Sequence, residues 1–193
     1  RLEADIRFQP FELNPHMPFE GQKLVDYAAQ KYGSTPQQLR ERRSAIRDRA
    51  ADLGFTIALS PDDGRVYNTF DAHRLLHWAG LEGRQRELKL ALFEAYFTDC
   101  LNPGDHGVLA DAAEKAGLDR IGAADVWASG RYAEEVRAAE RFWQSNGITA
   151  VRTATSGSDG YARSTYVLGK SKAAIGNYTL RADATSGSNS ATA

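Results

Sequence analysis

From Gly21 to Gly147 the chain repeats one punctuation: a polar or proline start, apolar residues three and four apart, then a glycine. That spacing places apolar side chains on one face of a helix. It commits this part of the chain to packed helices. Leu24, Tyr27, Ala28 and Tyr32 follow the pattern, and Gly33 is a natural stop. Thr35-Pro36-Gln37-Gln38 is a start signal: Thr35 can cap, Pro36 suits the first helical position, and Gln38 can close a capping box. This helix is expected to run to about Leu53 and stop at Gly54. Phe55 to Leu59 is a short apolar segment with an extended reading, and Ser60-Pro61-Asp62-Asp63-Gly64 is a turn.

A second helical block follows. Asn68 or Thr69 starts a helix that carries Leu75, Leu76 and Trp78 and ends at Gly80. Gln85 to Thr98 puts Leu88, Leu92, Phe93 and Tyr96 on one broad face. After a loop from Leu101 to Gly107, Val108 to Ala116 is helical and ends at Gly117. Asp119 caps a helix to Ser129, and Arg131 to Asn146 forms the last one before Gly147. The aromatics Phe93, Tyr96, Phe97, Trp127, Phe142 and Trp143 fit core packing at this spacing.

Both flanks read differently. Asp5 to Leu13, with apolar Ile6, Phe8 and Phe11, reads as a strand, and Pro10 argues for an edge or a break. Asn14 to Pro18 is a turn-rich loop. Gly147 to Val151 is the entry into another strand. At Arg152 the character changes: all 11 Glu precede it, and 26 of the last 42 residues are Ser, Thr, Gly or Ala. Within that tail, Tyr178, Leu180 and Ala182 alternate like a strand, Tyr166 and Leu168 hint at a partner, and Ser186 to Ala193 reads as flexible.

A net charge of -1 and a pI near 6.5 give no electrostatic reason for nucleic acid or an anionic membrane as partner. No apolar run approaches the roughly 20 residues of a membrane helix, and no signal peptide is visible. The chain begins at Arg1, so a lost leader or structural segment stays open. A cytoplasmic location is the expectation. One cysteine, Cys100, excludes an internal disulfide.

Two segments carry a resemblance. Arg7-Phe8-Gln9-Pro10-Phe11-Glu12-Leu13-Asn14-Pro15-His16-Met17-Pro18 and Asn68-Thr69-Phe70-Asp71-Ala72-His73-Arg74-Leu75 resemble the FrnE-like branch of the DsbA family. Further blocks follow in order: Leu88 to Thr98, Ala116 to Asp119, Glu134 to Arg137, and Gly147 to Val151. The resemblance implies an α/β, thioredoxin-like sheet with a large inserted all-helical domain. Residues 1–20 would belong to the thioredoxin-like part, 21–130 to the insertion, and 131–193 to the return helix and C-terminal strands, with 152–193 atypical. The implied activity is thiol-disulfide oxidoreduction on a protein or small-molecule thiol or disulfide, with no cofactor and no metal.

The chain departs from that family in two places. The family's Cys-x-x-Cys, or a serine in glutathione-dependent relatives, lies ahead of the segment matching Arg1. A cis-proline follows the segment matching Ile148 to Val151, where this chain has Arg152. The sequence as given is therefore expected to be inactive or incomplete, with no catalytic residue of its own. One alternative is an isomerase or transferase of the 2-hydroxychromene-2-carboxylate isomerase type, with glutathione as co-substrate. Another is a non-catalytic, partner-binding helical domain. By resemblance, Phe11, Asn14 and Val151 border the substrate cleft. The bland readings are packing for Phe11 and loop capping for Asn14 before Pro15. Without its first strand the segment from Asp5 to Leu13 would have an open edge. The tail strands, or a second copy in a homodimer, are expected to cover it.

Other motifs are weaker. Cys100 sits at a helix end, where carbonyl dipoles work against a thiolate; its reading is a small, half-buried structural side chain. His73 and His77 are one turn apart, a spacing that suits a metal, but no third ligand is evident. Asp71 and Arg74 can pair at i,i+3. Leu168-Gly169-Lys170-Ser171 lacks the first glycine of a phosphate loop, since position 164 is Ser164. The basic run around Arg40, Arg42, Arg43, Arg47 and Arg49 reads as a solvated helical face.

Overall fold

The computed structural model describes residues 7–146 together with two short paired strands at 155–156 and 162–163. Contacts divide the chain at Glu140 and Arg141 into two compact units, Arg1–Glu140 and Arg141–Ala193.

The first unit holds a small ribbon and a helical bundle. Strands β1 (Gln22–Lys23) and β2 (Arg65–Val66) pair antiparallel, Gln22 opposite Val66. Two glycines allow the chain to close there. Gly21 has φ 70°, and a side chain on it would collide with the Val66 carbonyl. A Cβ on Gly64 would lie 2.5 Å from the Ser60 carbonyl oxygen. Helices α1 (Leu24–Tyr32) and α2 (Pro36–Asp52) follow β1. Thr35 and Gln38 form the expected capping box, with bonds of 3.2 and 3.0 Å. Leu24, Ala28 and Leu39 form a small core. Only Leu39 of α2 is buried, so its arginines face water, and Arg40 pairs with Asp62 at 2.7 Å.

The main core lies among α3 (Phe70–Leu81), α4 (Gln85–Phe93), α5 (His106–Lys115) and α6 (Arg120–Ala128). Leu75, Leu88, Leu109, Ala113, Ala123 and Val126 have no exposed surface at its centre. Asp105 caps α5 by accepting from Gly107 and Val108, and Asp119 caps α6 by accepting from Gly122 at 2.6 Å. Of the two expected starts of α3, Thr69 takes the cap position without a side-chain bond, and Asn68 Oδ1 accepts from the Phe70 amide at 2.9 Å.

The long helix expected from Gln85 to Thr98 changes pitch. Glu94–Thr98 is a π-helical turn. The change of pitch leaves the Phe97 carbonyl to accept from the amides of both Ala58 and Leu59, at 2.8 and 3.0 Å. The extended reading of Phe55 to Leu59 is thus replaced by an irregular segment fastened to that turn. Phe93 and Phe142 are exposed, which corrects their assignment to the core. Cys100 is also exposed rather than half-buried, because the chain turns there with φ 59°.

The expected strand over Asp5 to Leu13 is not formed where the chain is described. Residues 7–13 pair with no strand there, because helix side chains occupy their backbone groups, as shown below. Helix α7 (Ala133–Ser145) runs across the boundary between the two units. In the second unit the rings of Phe142 and Trp143 meet edge-on at 5.0 Å. Strands β3 (Thr155–Ser156) and β4 (Ala162–Arg163) pair antiparallel. The readings of Gly147 to Val151 and of Tyr166 to Ala193 lie outside the described residues.

Truncating Leu88 to alanine should cost about 2–5 kcal/mol by removing a fully buried side chain from the main core. Ile121→Ser, at a position that is 81% exposed, should stay within about 0.5 kcal/mol. Urea denaturation of both variants checks the contrast.

Candidate functional site

The site candidates of the N-terminal segment are held by side chains from four helices. Gln85, at the start of α4, reads the Phe8 backbone with its amide. Its Oε1 accepts from the Phe8 N–H at 2.9 Å, and its Nε2 donates to the Phe8 carbonyl at 3.0 Å. His73 of α3 is hydrogen-bonded to the Phe11 backbone. Glu140 of α7 accepts the Glu12 amide at 3.0 Å. Phe11 is half-buried on this strip.

Glu12 brings a carboxylate into the protein. Its side chain is 2% exposed and that of Glu140 is 5% exposed. Arg137 serves both: one nitrogen bonds Glu12 Oε2 and lies 2.8 Å from Glu140 Oε2. The guanidinium is centred 3.8 Å from the middle of the Phe70 ring. Two acids thus share one cation, and among the described residues nothing bonds Glu12 Oε1. Burial pushes the Glu12 carboxyl above its ordinary value of 4.5, against the pull of Arg137. The sequence reading missed this triad because Arg137 lies 125 positions from Glu12. The one signal was a glutamate between Phe11 and Leu13, in an otherwise apolar run.

Asn14 is fixed by α1. Its Oδ1 accepts from Tyr27 Oη and Lys31 Nζ, both at 2.8 Å, and Lys31 also donates to the Leu13 carbonyl at 3.1 Å. Burial works to raise the Tyr27 phenol, but the pull of Lys31, Tyr32 and Asn14 outweighs it and leaves the phenol below its ordinary value of 10.0. With Oδ1 doubly used, the Asn14 group left for a ligand is its NH2, which can only donate. Phe11 and Asn14 therefore stand on one strip, anchored to different helices. Val151 lies outside the described residues.

The remaining candidates serve the fold. His73 is engaged by the Phe11 backbone, and the His77 ring lies 5.1 Å from that of Tyr132. No group of three or more metal-ligating side chains occurs among the described residues. Asp71 and Arg74 pair as expected, at 2.7 Å. Arg74 is nearly fully buried and also bonds the carbonyls of Val126 and Arg131. His106 completes the group with a 2.8 Å contact to Asp71 and a ring stacked on Trp127. The Cys100 Sγ lies 3.8 Å from the Thr98 carbonyl oxygen.

The fold is mostly helical and thioredoxin-like. The chain belongs to the DsbA family: the model of the DSBA-like thioredoxin domain matches residues 1–159. A solved structure described as a probable DsbA oxidoreductase from Streptomyces coelicolor is similar at 32% identity with a TM-score of 0.64. The match covers 73% of this chain and 61% of that one. No curated protein matches. The family is of the thiol-disulfide oxidoreductase type. No helix among the described residues is long and apolar enough to cross a membrane.

His73 and Glu12 give opposite pH dependences. Burial lowers His73 from 6.5 to about 4, so the unfolded chain takes up its proton first as pH falls. Stability is then lost between those values, on the order of 3 kcal/mol at most. His73→Gln should flatten that acid limb. Glu12, raised above 4.5, has the reverse sign: the folded state holds the proton longer, so stability falls as pH rises above that value. Glu12→Gln should therefore gain on the parent protein toward neutral pH. Urea midpoints of the three proteins, measured across the acid range, check both signs.

Proposed function

We propose that the chain supplies the substrate-positioning part of a thiol-disulfide oxidoreductase of the FrnE-like type. The observation that carries this reading is the fixed strip from Phe8 to Asn14. It is aligned by Gln85, His73, Glu140 and Tyr27 within a chain of the DsbA family. Disulfide exchange needs a thiolate to attack a disulfide sulfur and a second cysteine to release the mixed disulfide. This sequence holds one cysteine, exposed Cys100, so its residues orient a thiol or disulfide substrate rather than complete the exchange. Phe11 and Asn14 would border that substrate, with residues 21–130 as the inserted helical scaffold.

Insulin reduction by dithiothreitol tests the reading. The chain should not accelerate it, and Cys100→Ser should behave like the parent. Acceleration that vanishes in Cys100→Ser would instead make Cys100 the redox group and overturn the positioning role.

A second reading, a glutathione-dependent isomerase or transferase, is favoured by one feature: the Asn14 NH2 is left to donate to an acceptor such as a thiolate or carboxylate. It requires no cysteine pair. Calorimetric titration with glutathione should show saturable binding that Asn14→Ala weakens about tenfold, the loss of one charge-assisted bond. Absence of binding to the parent chain removes this reading.

A further inference from the structure

A cleft of about 640 Å³ opens between the Phe8–Pro10 segment and the helices α3 and α4; it shares Phe8, His73 and Gln85 with the redox reading but not Asn14 or Cys100. That size suits a small molecule. Phe8, Leu76 and Leu81 supply apolar wall. Two of its polar groups are already engaged. The Gln85 amide is held by the Phe8 backbone, and His73 is bonded to the Phe11 backbone and carries no charge near neutral pH.

Lys89 is different. Its ammonium lies 4.8 Å from the centre of the Phe93 ring and 5.8 Å from that of Phe8. Among the described residues no carboxylate comes within ion-pair distance of it. The aromatic faces compensate part of the lost hydration but do not replace an anion. Burial accordingly lowers the Lys89 ammonium below its ordinary value of 10.5. The exposed side chains of Arg7, Arg86 and Glu87 also line the cleft.

We propose that this cleft binds a monocarboxylate with an apolar body, its carboxylate on Lys89 Nζ and its body against Phe8, Leu76 and Leu81. The charge count selects the class. Of the cations that line the cleft, Arg7 and Arg86 are exposed and Lys89 is the half-buried one; one half-buried ammonium matches a single buried negative charge. The apolar wall selects against a small hydrophilic acid such as formate. This proposal stands apart from the thiol chemistry, since none of its contacts uses Asn14 or Cys100.

Calorimetry of the whole chain with octanoate and with octanol tests it. Octanoate should bind saturably at one site, at least tenfold more tightly than octanol. Lys89→Met should abolish that preference while keeping a urea midpoint no lower than the parent's, since it replaces a desolvated cation with an apolar side chain of similar length. Equal binding of the two ligands, no saturable binding of octanoate, or a preference retained in Lys89→Met would each overturn the proposal. Should Lys89→Met not fold, amide shifts of the parent protein decide. Octanoate should perturb Phe8, Leu76 and Lys89, and perturbations confined to other residues would count against the cleft.

Discussion

Peptide groups withdrawn from water must find partners, and a strand ordinarily finds them in its neighbour. In the segment from Phe8 to Glu12 the helices provide them with side chains. Gln85 makes both bonds to Phe8 with one planar amide, imitating a ladder rung, while His73 and Glu140 engage the Phe11 backbone and the Glu12 amide. The strip is thereby tied to α3, α4 and α7 together. The same placement carries the Glu12 carboxylate into the interior, which is tolerable because Arg137 comes with Glu140 from one turn of α7.

The position of α7 depends in turn on Arg74. The last carbonyls of a helix lack internal partners. Arg74 bonds the Val126 carbonyl near the end of α6 and the Arg131 carbonyl just before α7. A cation at a helix C-terminus also complements the dipole there. Asp71 completes the arginine from one turn earlier and reaches His106 with its other oxygen. The Asp71-x-x-Arg74 spacing thus fixes the α6–α7 connection, and with it the cation that Glu12 requires.

These layers differed in how far the sequence revealed them. Helices and their ends were legible because the determinants are local: Thr35 with Gln38, Asp119 with Gly122, and glycines at the stops. The Asp71–Arg74 pair was legible for the same reason. The strand reading of Asp5 to Leu13 failed where it can be compared because alternation reports an extended, half-buried backbone and not what lies beside it. The π-helical turn at Glu94–Thr98 was missed because the apolar pattern across it stays helical, while the amides of Ala58 and Leu59 that bond its Phe97 carbonyl lie far off in sequence. The carboxylate triad depends on partners far apart in sequence, which no local pattern reports.

The placement of Cys100 bears on how the family's chemistry relates to this chain. A reactive thiol is stabilised as thiolate by helix N-termini or nearby cations. Cys100 follows the end of the π-helical turn, in a left-handed conformation, with its Sγ against the Thr98 carbonyl. The stabilising groups are concentrated elsewhere, around the strip from Phe8 to Asn14, where donors from Tyr27, Lys31 and Arg137 converge on oxygen acceptors. The donors of the chain are therefore used in fixing that strip, away from its single cysteine.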